Sequence, residues 1–67
     1  MEKNIGKSIQ AIRVKKGLTQ ESLAKKADIK YTTLTKIESG VIKQPSVFSV
    51  ASIAKALGVA IEELMKK

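Results

Sequence analysis

The chain has 67 residues and a formal net charge of +7, with neither Cys nor His. That length allows one small domain with a marginal core, and the missing residue types exclude disulfides and the usual zinc sites as its staples. No run approaches the roughly 18 consecutive apolar residues of a membrane span, and Met-Glu-Lys-Asn-Ile-Gly-Lys lacks a signal peptide's apolar centre; the expectation is a soluble, cytoplasmic protein built by helix packing.

Ile5, Ile9 and Ile12 recur at spacings of four and three, which predicts an amphipathic helix over residues 5–16. Lys15 and Lys16 supply a basic last turn and Gly17 a C-cap position. Thr19 offers an N-cap hydroxyl to a second helix, with Glu21 complementing the dipole in its first turn. That helix should turn Leu23, Ala24 and Ala27 inward and end near Ala27. Asp28 then suits a left-handed turn position, and Ile29 plugs the turn into the core.

A third helix is predicted over Tyr31 to Ser39, ending at Gly40, with Lys30 as a poor N-cap. Thr33, Leu34 and Ile37 face inward. After a loop from Val41 to Gln44, Pro45-Ser46 starts a fourth helix with Ser46 as N-cap and Gly58 as its stop. Val47, Val50, Ala51, Ile53, Ala54 and Leu57 give it a broad apolar face. A short fifth helix, Ile61 to Met65, carries Glu62 and Glu63 in its first turn and is followed by Lys66 and Lys67, both placements suiting the dipole. Five helices without a strand pattern make an all-α domain spanning residues 1–67, with a helix-turn-helix over about 19–39.

Ten Lys/Arg and four Asp/Glu lie at or before Lys43, against three and two after it. The basicity therefore belongs to the first two-thirds of the chain, where the helix pair lies. Such a footprint suits a nucleic-acid binder, although a lysine-rich solubilising surface would give the same charge. On the third helix, Tyr31, Thr32, Thr35 and Lys36 project away from the apolar stripe. Thr can exchange hydrogen bonds with base edges and pack on the thymine methyl, and Lys can donate to guanine O6 and N7. An ordinary solvated helix face would look the same. Thr19 and Gln20 open the second helix, where free amides can meet a phosphate, and Lys43 can reach the backbone from its loop. Capping alone would also account for Thr19.

Gly17 to Gly40, with its Leu-Thr-Gln-Glu-Ser-Leu-Ala run and Ile-Glu-Ser-Gly, followed by Pro45-Ser46 and Ile53-Ala54-Lys55-Ala56-Leu57-Gly58-Val59, resembles the helix-turn-helix family of phage repressor and Cro proteins, often called the Xre family. The resemblance covers about residues 5–65. It implies a compact five-helix repressor-like fold in which the second and third helices read DNA. It also implies base contacts from Tyr31, Thr32 and Lys36, with Thr35 as a further candidate. Phosphate contacts fall to Gln20, Lys43, Ser39 and the amide of Gly40 or Val41, and Arg13 with Glu38 to an internal ion pair. Lys30, Asp28 and Ala60 depart from the family pattern, which favours Ser or Thr, Gly, and a capping hydroxyl there.

No nucleophile–base pair, metal cluster or Gly-rich phosphate loop emerges, so we expect neither catalysis nor a cofactor, and no small-molecule ligand is evident. The leading reading is a sequence-specific transcriptional regulator that binds a palindromic operator on double-stranded DNA as a homodimer. Its dimer surface would come from the last third, where Phe48 and Met65 are the candidates and Leu64 and Ile61 are assigned to the core. Membrane binding is not expected. The competing reading is an antitoxin-like or other protein-interaction module. Lys36→Ala should relax preference at one operator position, whereas Gln20→Ala should weaken all duplexes about equally.

Overall fold

A computed structural model describes residues 5–65; Lys66 and Lys67, with their expected role beside the last helix, lie outside the described residues, as do positions 1–4. Five α-helices follow in order: α1 (Ile5–Lys15), α2 (Gln20–Ala27), α3 (Tyr31–Ser39), α4 (Val47–Leu57) and α5 (Ile61–Met65). No strand occurs among the described residues.

The boundaries follow from side-chain chemistry at the caps. α1 closes one residue before the expected Lys16: Gly17 takes φ 73°, and the Leu18 amide donates back to the Arg13 carbonyl at 3.0 Å. The Thr19 hydroxyl caps α2 by accepting from the Ser22 amide, and the Ser46 hydroxyl caps α4 by accepting from the Ser49 amide. Asp28 adopts the left-handed conformation at φ 58°, ψ 43° and so ends α2 without a glycine. Lys30 precedes α3 in an extended conformation and makes no side-chain cap bond.

Every helix sends at least one fully buried side chain inward: Ile9, Leu23, Leu34, Ile37, Ile53 and Leu64. Burying a side chain of this kind stabilises the fold by about 1.5–3 kcal/mol. α1 lies against α3, α2 against α4, and α5 against both α1 and α4. Gly6 sets the α1–α3 approach. A Cβ there would overlap the Ile37 carbonyl oxygen and come within 3.1 Å of the Glu38 carbonyl oxygen.

Three expected core positions are corrected. Ala51 is exposed because it follows Val50 by one residue, about 100° round the helix and off the 50-53-54-57 stripe. Val47 continues that stripe, yet it is 72% exposed, because no other element covers the first turn of α4. Ile61 opens onto the same uncovered ground rather than into the core. Together with Ile5, Pro45, Val50 and Met65 these two side chains line a shallow apolar groove at the α4–α5 end.

Candidate nucleic-acid interface

α2, the Asp28–Lys30 turn and α3 form the helix-turn-helix, docked on the core by Leu23, Ala24 and Ala27 from one helix and Leu34 and Ile37 from the other. The half-buried Ile29 packs into the core from the turn, and its amide donates to the Ala24 carbonyl at 3.0 Å. α3 is thereby held with one side fixed and the other bare. On the bare side Tyr31, Thr32 and Lys36 are exposed. Thr35 is half-buried and its hydroxyl donates to the Thr32 carbonyl at 2.8 Å. With its hydrogen so engaged, the Thr35 oxygen is left to act as an acceptor.

The fixed side carries a charge. The Glu38 side chain is 3% exposed, and its two oxygens accept from Arg13 Nε at 2.8 Å and Nη2 at 3.1 Å. Arg13 Nη1 donates to the Leu18 carbonyl at 2.8 Å. Gln20 Nε2 adds a third donor to the carboxylate, 2.9 Å from Oε1. No buried side-chain nitrogen or oxygen among the described residues lacks a partner, which is the condition for a buried ion pair to be tolerated. The structure therefore joins Arg13 and Glu38, and it brings to them a residue that sequence had placed only at the helix end.

The remaining site residues rim this face. Thr19 is exposed, and besides capping α2 its hydroxyl donates to Ser22 Oγ. The Ser39 hydroxyl is turned back on the Lys36 carbonyl at 3.2 Å. Gly40, at φ 89°, donates its amide to the Ile37 carbonyl at 3.3 Å, so its first task is to turn the chain. Lys43 is exposed and borders the apolar groove. Phe48 is 83% exposed and Met65 is also at the surface, on the α4–α5 end rather than beside α3.

Two features escaped the sequence reading. Gly6 carried a signal, since a glycine inside a helical stripe points to close backbone approach. The Gln20–Glu38 bond carried none, because it joins residues 18 apart through the fold. No group of acidic residues able to hold a metal occurs among the described residues, and no helix is long and apolar enough to cross a membrane.

The family described as helix-turn-helix matches residues 9–64. Among solved structures, the chain is similar to the master regulator for biofilm formation SinR in complex with DNA, at 29% identity and a TM-score of 0.89 over 92% of this chain and 98% of that one. It is similar also to the restriction-modification controller protein C.AhdI from Aeromonas hydrophila, at 27% identity and a TM-score of 0.86 over 92% of each chain. No curated protein matches the sequence.

Proposed function

The chain belongs to the Xre-like helix-turn-helix family, and from that premise we propose that it is a sequence-specific, double-stranded DNA-binding regulator of transcription that acts by occupying an operator. The observation that carries this reading is the division of α3. Leu34, Ile37 and Glu38 fix one side in the protein, and Tyr31, Thr32 and Lys36 are left bare on the other. Such a helix fits the major groove, with its short polar and cationic side chains toward base edges.

Lys36 offers donors that suit guanine O6 and N7, and Thr35, presenting an acceptor, suits an amino group of cytosine or adenine. Thr32 and Tyr31 complete the reading face. Phosphates are met by the first amides of α2 beside Thr19 and Gln20, by Ser39 and Lys43, and by the Val41 amide. That amide lies between Gly40 and Ile42, whose own N–H groups are spent on the Ile37 and Lys36 carbonyls.

Two copies occupy a palindrome. Recognition helices on successive major grooves stand ~34 Å apart, a span close to the 31 Å longest dimension of the protomer, so copies on one face of the duplex are near enough for their edges to meet. The exposed Val47, Phe48, Ile61 and Met65 supply an apolar face for that contact. A foreign protein on the same face, as in the antitoxin-like reading, would leave the isolated chain monomeric on DNA.

Duplex binding at several salt concentrations tests the proposal. With six phosphates neutralised, log affinity falls with log salt at a slope near −5. Absence of binding to any duplex at low salt would sink it.

A further inference from the structure

The Glu38 carboxylate is where three helices meet: Arg13 reaches it from α1 and Gln20 from the first position of α2. The Gln20–Glu38 bond is the only side-chain hydrogen bond between α2 and α3 among the described residues. Phosphate contact at the end of α2 does not require it. The amide nitrogen of Gln20 has two hydrogens; one is spent inside the fold on Glu38, and the other remains for an anion at the helix start.

We propose that Gln20 is a positioning residue, tying the recognition helix to the phosphate-facing end of α2 so that it governs discrimination between sequences as well as affinity. This inference rests on the DNA-binding reading above. A phosphate held at α2 fixes the Gln20 side chain. Gln20 in turn fixes the carboxylate of Glu38, about one turn from Thr35 and two residues from Lys36 on the same helix. Arg13 constrains that carboxylate from the α1 side alone. Leu34 and Ile37 still seat α3 on the core without Gln20, but its polar tie to the start of α2 is gone, and side chains that read bases lose their setting before those that meet phosphates do. Sequence alone predicts that Gln20→Ala weakens all duplexes equally; the Glu38 bond predicts an unequal loss.

The test compares Gln20→Met, which keeps the stem and removes the donor, with Lys43→Ala, a phosphate contact with no link to α3. Each is titrated with a duplex selected from a random pool and with a scrambled duplex of the same composition. For Gln20→Met the ratio of the two affinities should fall roughly tenfold, the low end for a hydrogen bond to a charged acceptor. For Lys43→Ala both affinities should fall together, and the salt slope should shrink by about 1. Gln20→Glu, which sets a like charge beside Glu38, should depress the ratio further. A thermal melt of each variant within a few degrees of wild type certifies an intact fold. A wild-type ratio in both Gln20 variants overturns the inference alone. Failure of the wild-type chain to bind either duplex overturns the DNA-binding reading beneath it.

Discussion

Around α3 every buried polar side chain is bonded within the protomer, and the exposed side chains are hydroxyls and a lysine. At the start of α4 and along α5 the exposed side chains include valine, phenylalanine, isoleucine and methionine, with an apolar groove among them. The first region is internally complete and outwardly polar, as a surface that meets an anion must be. The second leaves apolar area in water that a 67-residue chain has little reason to waste unless another surface covers it. Under the proposed function, one small domain divides its work, with reading at one end and association at the other.

The largest effect is expected at Glu38. Glu38→Ala leaves Arg13 buried without its partner and should cost about 3–5 kcal/mol; with ~4–8 °C per kcal/mol in a domain of this size, a thermal melt should show the fold largely lost near 37 °C. A melt within a few degrees of wild type would mean that the ion pair is not what holds α1 to α3. Gly6→Ala comes next. The added methyl gains up to about 1 kcal/mol of helix propensity, but its overlap with the Ile37 carbonyl should leave a net loss of ~1–3 kcal/mol, read from the urea midpoint. A more stable variant would show that the two helices separate without cost.

Lys36→Ala should leave the melt unchanged and cost ~1–3 kcal/mol on the selected duplex, with preference relaxed at one base position. Unchanged preference in a binding titration would remove Lys36 from the reading face. Phe48→Lys probes the apolar end. Stability should move by no more than ~0.5 kcal/mol, as for a surface position, while binding to a palindrome becomes a sequence of independent one-protomer steps. Cooperative, two-protomer binding that survives this change would place the dimer contact elsewhere.

The helices themselves were legible because their signals are local. Thr19 and Ser46 as caps, Asp28 and Gly40 as left-handed turns, and the inward Leu34 and Ile37 each depend on residues within a turn or two. The outward set of α3 followed from the same periodicity. Arg13 with Glu38 required the family resemblance, since 25 residues separate them. Val47 and Ile61 were read as core because periodicity says which side of a helix is apolar but not whether anything lies over it. Gln20 was placed correctly at the start of α2, while its bond to Glu38 depends on how α2 and α3 are set against each other. Local chemistry gives the elements and their faces; which polar groups meet is decided by the packing.

On the proposed function, the bare side of α3 is the surface that touches DNA. Titrating ¹⁵N-labelled protein with a selected duplex and following amide shifts residue by residue tests it most directly. The largest changes should fall on Tyr31, Thr32, Thr35 and Lys36, with smaller ones at the start of α2 and through Gly40 to Lys43. Shifts concentrated on Val47, Phe48 and Ile61, with α3 silent, would contradict it.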